Sequence, residues 1–336
     1  MELLAAVALG LEIEGTTVPR RALRARPLVR GRAKAFRADC GGVLGDTWGM
    51  RLNRDRWLLG RAMDDFKKAI AGTFDAVAAG YDDHFLRFFP ASAEHMVSRL
   101  GLRGDESALD VACGTGHATL TLAACLERGQ VTGVDFSAGM LDQARRKLAA
   151  ANLRCAVELV EGDMQALPWR ERFDVATCAF GIFFVPDMTA TLAHIASTVR
   201  PGGKVIASSF TIGYMEPMRS LLVDRLAAGY GVQPTPPLWK LVGTEEGCRK
   251  LFADAGLRDI QVERRQMGYF LPDPEAWWQV VWNAGFRRML AGLSPEALAR
   301  CREEHLREVA PLCTSDGLWL DVDVLFSSGR RSADQP

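Results

Sequence analysis

The chain has 336 residues, with 41 Lys+Arg against 41 Asp+Glu, 48% hydrophobic and 24% charged: an ordinary globular composition, long enough to bury a sizeable core. A neutral balance argues against a polyanionic partner, since nucleic-acid binding needs a concentrated positive field. Eight scattered cysteines without a CxxC pair read as reduced, buried thiols of a cytoplasmic protein with no metal site, and no apolar run reaches the roughly 18 residues of a membrane span. The charge is unevenly placed, however. Residues 1–60 carry eleven Lys+Arg against six Asp+Glu, ten of the eleven being Arg. No cation precedes the opening apolar run, and Glu2, Glu12 and Glu14 flank it, so it is a poor signal peptide. Residues 1–62 read as a basic extension, either disordered or lying upstream of the true start, and 63–336 as the folded domain opening at Met63.

Helices are expected over 66–80 and 91–100, after which strands and helices alternate. Strands fall at Ser107–Ala112, Val131–Phe136, Ala156–Glu161, Phe173–Phe180 and Lys204–Thr211. The helices between them are His117–Arg128, Ala138–Ala150 and Met188–Val199. Such alternation builds right-handed βαβ units around a parallel sheet. Beyond Thr211 the pattern loosens into a helix at Met215–Gly229, a loop at Gln233–Pro237, a helix at Glu245–Ala255 and a strand at Asp259–Arg264. An aromatic stretch, a helix at Pro295–Val309 and a period-2 strand at Leu318–Phe326 close the chain.

An open parallel sheet binds ligands at the carboxyl ends of its strands, where strand order reverses. The best-defined loop of that kind is Asp110-Val111-Ala112-Cys113-Gly114-Thr115-Gly116, whose glycines allow backbone N–H groups at a helix start to face a ligand. Thr119 stands where a dinucleotide fingerprint needs its third small residue, which demotes a nicotinamide enzyme. Asp135 ends the second strand, placed to accept both hydroxyls of a ribose, and Asp163 follows the third, where an adenine amino group could be read. Three acids in register with a glycine loop favour an adenosine ligand without a pyrophosphate.

These residues resemble the class I S-adenosylmethionine-dependent methyltransferases, and within them the branch of ubiquinone/menaquinone-biosynthesis C-methyltransferases (type 11-like). The resemblance is carried by Phe74-Asp75-x-x-Ala78-x-x-Tyr81-Asp82, by Leu109 through Gly116, and by Val134-Asp135-Phe136-Ser137-x-Gly139-Met140-Leu141. Gly162-Asp163-Met164-Gln165-x-Leu167-Pro168, Phe173-Asp174 and Arg200-Pro201-Gly202-Gly203 complete it. It spans about 66–211 and, more loosely, the terminal strand. It implies a Rossmann-like α/β fold with a seven-stranded, mostly parallel sheet, an antiparallel last strand, helices on both faces and helical cap inserts near 212–243 and 267–312. It implies S-adenosylmethionine as cofactor, with Asp110 and the Gly114 and Gly116 backbone at the methionine moiety and Asp135 at the ribose. Phe136 and Met140 would lie beside the adenine, Asp163 and the Met164 backbone would read its edge, Tyr81 would close over the ligand, and Ala112 and Phe180 would line it. Ala112 departs from the family's more usual glycine, a small-for-small change.

Methyl transfer from a sulfonium needs approach geometry more than acid–base chemistry, and a base only where the nucleophile must lose a proton. Candidate bases are accordingly few. Tyr214 and Tyr269 follow strands, Glu216 has a similar place, and His194 lies within a helix; His117 reads as a cofactor neighbour or helix-end residue and His305 as solvated. The cap is rich in aromatic residues: Phe180, Phe183, Phe184, Phe210, Tyr214, Trp239, Tyr269, Phe270 and Trp277, with Trp278, Trp282 and Phe286 on one helical face at i, i+4, i+8. That face either packs the cap onto the sheet or lines a pocket for a small aromatic or lipophilic acceptor. An NAD(P)-linked oxidoreductase and a non-catalytic adenosyl-ligand module are the competing readings.

Overall fold

The computed structural model describes residues 65–232 and 238–332. The basic stretch 1–62, Met63 and the loop expected at Gln233–Pro237 lie outside the described residues. The chain divides into two compact units, Met1–Lys68 and Ala69–Pro336, and the fold and site belong to the second. Its helices are α1 (69–77), α2 (Phe88–Ser98), α3 (His117–Cys125), α4 (Ala138–Ala150), α5 (Met188–Thr198), α6 (Met218–Tyr230), α7 (Glu245–Asp254), α8 (Pro274–Asn283), α9 (Arg287–Leu290) and α10 (Pro295–Val309). Its strands are β1 (Ser107–Val111), β2 (Gln130–Asp135), β3 (Ala156–Glu161), β4 (Phe173–Ala179), β5 (Val199–Phe210), β6 (Leu257–Gln266), β7 (Tyr269–Leu271), β8 (Leu318–Leu320) and β9 (Asp323–Arg331).

Seven strands form one sheet in the order β3-β2-β1-β4-β5-β9-β6, and β7 and β8 form a separate hairpin. Every pairing from β3 to β5 is parallel, whereas β9 runs antiparallel to both its neighbours. The strand order reverses between β1 and β4, so a crevice opens at their carboxyl ends, beside the glycine loop. Burial follows position: central β1 is buried at every residue, and edge strand β3 is half-exposed throughout. The Ser137 hydroxyl caps α4 by accepting the Met140 N–H, and Asp187, Thr244, Asp273 and Ser294 cap α5, α7, α8 and α10 in the same way.

Several boundaries differ from the sequence expectation, each for a local reason. The expected strand Leu318–Phe326 is two strands in two sheets: Leu318–Leu320 pairs with β7, and β9 begins at Asp323 and runs on to Arg331. Its end, Ser-Ser-Gly-Arg-Arg, has no apolar pattern, and ladders on both sides hold it extended. Arg331 is buried there, donating to Val199 O at 2.6 Å and pairing with Glu171 at 2.7 Å. Strand β5 starts at Val199 instead of Lys204, because the register shifts across Arg200–Gly203. Helix α3 stops at Cys125, short of Arg128, and α2 starts at Phe88, ahead of Ala91.

The two inserts expected to form a cap meet each other. Arg225 of α6 pairs with Glu304 and Glu308 of α10, and the Tyr230 hydroxyl donates to Glu304 at 2.9 Å. Their apolar faces (Leu222, Leu226, Trp277, Val281, Cys301, Val309) join one core with Phe180 and Ile206 of the sheet side. Among the described residues no helix is long and apolar enough to cross a membrane, no group of three His, Cys, Asp or Glu could hold a metal, and the seven cysteines are free thiols.

Candidate active site at the carboxyl ends of β1 and β4

Asp110 is fully buried inside β1, in register with Gly133 of β2 and Thr177 of β4. The Thr177 hydroxyl donates to it at 2.7 Å and the Thr119 hydroxyl, from α3, at 2.6 Å. Burial pushes its carboxyl up to about 6 against these two hydrogen bonds. Thr119, the residue that breaks the dinucleotide fingerprint, is thus a buried partner of the first acid. The chain then turns through Gly114 (φ +55°) and Gly116 (φ +86°) into α3, a path that glycine follows without steric cost. A Cβ added to Gly114 would meet nothing within 4 Å, so the space in front of the loop is open to a ligand.

Asp135, at the end of β2, is bound to that same loop: Gly114 N donates to its Oδ2 at 2.8 Å, and Ser137 N to its Oδ1 at 2.9 Å. Burial raises its pKa, opposed by the backbone donors of Ser137, Gly114 and Phe136. Asp163 turns the chain after β3, accepting from Gln165 N at 2.9 Å, and Met164 beside it is buried. Phe136 is half-buried, whereas Met140 is fully buried and packs with Val77 and Ala78 against Phe74 and Tyr81. Ala112 (φ +54°) and Phe180 (φ +52°) both hold a left-handed backbone where β1 and β4 end. Strain of this kind, about 1–2 kcal/mol for a non-glycine residue, gathers at functional strand ends. Ala112→Gly is therefore expected to raise stability by up to about 1 kcal/mol, checked by denaturant unfolding; a destabilised variant would show that the methyl contributes more than the strain costs.

Above the crevice the aromatic residues form a continuous column. Tyr81 stacks on Phe89 (4.7 Å between centroids), Phe89 meets Phe180 edge-on (5.4 Å), Phe180 stacks on Phe210 (4.4 Å) and Phe210 on Tyr214 (4.5 Å). Trp239 closes its far end edge-on to Tyr214 at 5.0 Å, and the Arg219 guanidinium lies 4.8 Å from each of those two rings. Burial pushes the Tyr214 hydroxyl up to about 12, and the Cys178 thiol likewise, so both stay protonated near neutral pH. Cavities of about 310 and 440 Å³ open beside Ile212 and Gly213, and neither is lined by the column or the glycine loop.

Other expected candidates are taken up elsewhere. The Tyr269 hydroxyl donates to Phe85 O at 2.7 Å under a stacked Arg87 guanidinium, which makes it a tie between segments. His194 sits mid-helix in α5 with its Nε2 buried, and Glu216 pairs with Arg219 and Ser220. His117 opens α3, its Nε2 2.9 Å from Asp82. His305, expected to be solvated, is fully buried and accepts the Trp277 indole N–H at 2.8 Å; its helix turns an apolar stripe inward despite its charged sequence. The expected face of Trp278, Trp282 and Phe286 does not exist as one surface. Helix α8 ends at Asn283, Trp278 is buried core, Trp282 lies under Arg287, and Phe286 alone approaches the column, 6.4 Å from Tyr214. Asp82 and Thr115 stand in the quoted motifs without a role and Lys147 was not singled out, yet the three cluster over the glycine loop; no spacing in the sequence links them.

Comparison with known proteins agrees with this geometry. Residues 108–203 match the family model described as a methyltransferase domain. The chain is 33% identical over 181 residues to the demethylmenaquinone methyltransferase of Shouchella clausii, covering 50% of this chain and 77% of that protein. It is 33% identical over 180 residues to the Bacillus mycoides protein of the same name, covering 49% and 75%. The crystal structure of YcgJ from Bacillus subtilis shares the fold with a TM-score of 0.50 at 15% identity, over 72% of this chain and 98% of that one.

Proposed function

The chain belongs to the class I S-adenosylmethionine-dependent methyltransferases, and from that premise we propose that it methylates a small aromatic or lipophilic acceptor by in-line displacement in the crevice between β1 and β4. The observation that carries the acceptor class is the column from Tyr81 through Phe89, Phe180 and Phe210 to Tyr214, which runs from the glycine loop into the cap and meets a charged side chain, Arg219, at its far end. Stacked rings favour a planar apolar acceptor and penalise a charged one, which would lose its hydration there.

The residues around the loop suit the cofactor. The open space before Gly114 supplies room, and the buried carboxylates Asp110 and Asp135 supply the anionic acceptors, that a sulfonium-bearing adenosyl ligand calls for. Asp135 would accept the ribose hydroxyls, Asp163 and the Met164 backbone would take the adenine edge, and Phe136 would lie against the base. Asp110 and the loop glycines would hold the amino-acid end, while Ala112 and Phe180 form the floor. When bound, the cofactor supplies an already activated methyl group. The chain's part is to orient the acceptor, with reacting atoms about 3–3.5 Å apart, and to exclude water beneath Tyr81. Burial raises the pKa of both column tyrosines, Tyr81 and Tyr214, so the acceptor would bring its own electron pair, and a proton it gives up would pass to solvent.

The test is thermal unfolding with S-adenosylhomocysteine, followed by turnover over phenolic, quinone-type and charged acceptors. Stabilisation by the ligand and turnover confined to planar apolar acceptors are expected. Tyr214→Phe should retain most of the activity and Tyr214→Ala lose about tenfold or more in kcat/KM. A Phe variant as impaired as the Ala variant would instead make the hydroxyl a base, and binding without turnover on any acceptor would make the chain an adenosyl-ligand module.

A further inference from the structure

The segment carrying Tyr81 is fastened to the glycine loop by charge. Thr115 Oγ1 donates to Asp82 Oδ1 at 2.6 Å, His117 Nε2 stands 2.9 Å from the same oxygen, and Lys147 Nζ lies 2.8 Å from Oδ2. Lys147 also donates to Thr115 Oγ1 at 3.0 Å, which closes the cluster. Burial works to raise the pKa of Asp82, but the bonds from His117, Lys147 and Thr115 outweigh it and hold the carboxyl well below the usual carboxylate range. The group therefore stays ionised at any pH where the protein works. Seven residues earlier, Asp75 accepts from Ser137 Oγ at 2.6 Å and Gly139 N at 3.0 Å, at the start of α4. Gly139 keeps this contact close, since an added Cβ would lie 3.2 Å from Asp75 Cα and push the segment outward by a few tenths of an ångström.

Between the two acids the segment has little apolar hold. Val77, Ala78 and Met140 form a small cluster separate from the two large cores, and Tyr81 rests on Phe89. Elements with few buried apolar contacts are those that open locally. Here the Asp82 contacts, one from the glycine loop, one from the first residue of α3 and one from α4, are what the small cluster cannot supply.

We propose that Asp82 is a positioning residue for cofactor retention: its ion pair with Lys147, braced by Thr115 and His117, latches the Tyr81 segment onto the glycine loop, and the spent cofactor leaves only when this latch opens. The inference rests on the cofactor reading of the loop given above.

Stopped-flow dissociation of S-adenosylhomocysteine from the full chain tests it. Asp82→Asn and Lys147→Met are each expected to raise the dissociation rate about tenfold, and the KM for S-adenosylmethionine with it, while kcat is unchanged or higher. The double variant should be no faster than either single one, and Asp82→Glu should recover most of the wild-type rate. Added salt should speed release from the wild type and not from Lys147→Met. If Asp82→Asn unfolds, Lys147→Met carries the test, because its partly exposed side chain lies on α4. Folded variants that release the ligand at the wild-type rate, or a fall in kcat alone, would overturn the latch. A wild-type protein that binds no S-adenosylhomocysteine would overturn the cofactor reading and the latch with it.

Discussion

Replacing Asp135 by Ala is expected to weaken S-adenosylhomocysteine binding about 100-fold, an effect of about 2.7 kcal/mol. Hydrogen bonds to a charged group contribute about 1.5–3 kcal/mol each, so the loss corresponds to one to two of the proposed ribose contacts. The substitution acts twice, because the same carboxylate holds Gly114 N and Ser137 N, so the glycine loop loses its anchor as the ligand loses its acceptor. Asp135→Asn separates the two effects. It keeps one of the two backbone bonds and removes a buried charge, so the variant should be more stable than the Ala variant. It should still bind poorly, since the amide NH2 would face one of the two backbone donors. Calorimetric titration alongside thermal unfolding checks both, and a folded Ala variant with wild-type affinity would refute the ribose assignment.

The largest loss of stability is expected for Trp277→Ala. Its indole is fully buried, meets Phe286 edge-on and donates to His305 Nε2. Truncating a buried tryptophan costs about 3–5 kcal/mol, and orphaning the buried acceptor adds about 1–3 kcal/mol. Trp277→Phe keeps most of the volume and isolates the second part. The partner brings a pH dependence. Burial pushes the His305 pKa down to about 4, against an ordinary 6.5, with Glu308 raising it and Arg225 lowering it further. The unfolded chain therefore binds the proton more readily than the folded one. The stabilisation is complete above about pH 6.5 and is lost as pH falls towards 4, a total of roughly 3 kcal/mol. Denaturant unfolding across this window should show the slope in the wild type and its loss in His305→Gln, whose side-chain oxygen can still accept from the indole. Equal slopes would show that other groups carry it.

The βαβ rhythm of 107–211 was legible because each central strand is an apolar run closed by glycine or acid, and each helix begins at a local signal such as Ser137 or Asp187. The glycine loop was legible for a similar reason. Gly114 and Gly116 are where the backbone turns left-handed, Asp135 ends β2 and Asp163 follows β3, strands whose register the sheet enforces. The acceptor side was not. Trp278 and Trp282 drew attention by their spacing, yet one fills the core and the other lies beneath an arginine, while the column is assembled from α2, the ends of β4 and β5 and the chain beyond them.

The sequence by itself determined the fold class, the family and the places of Asp110, Asp135 and Asp163 along the sheet, because those depend on short-range periodicity and on motifs whose spacing one strand–loop–helix unit sets. Tertiary structure alone decided that β9 lies between β5 and β6, that His305 is buried beneath Trp277, and that Asp82 meets Lys147 over the glycine loop. Each of these joins residues far apart in the chain, and a burial or an ion pair between such residues exists only once the sheet order has brought their elements together.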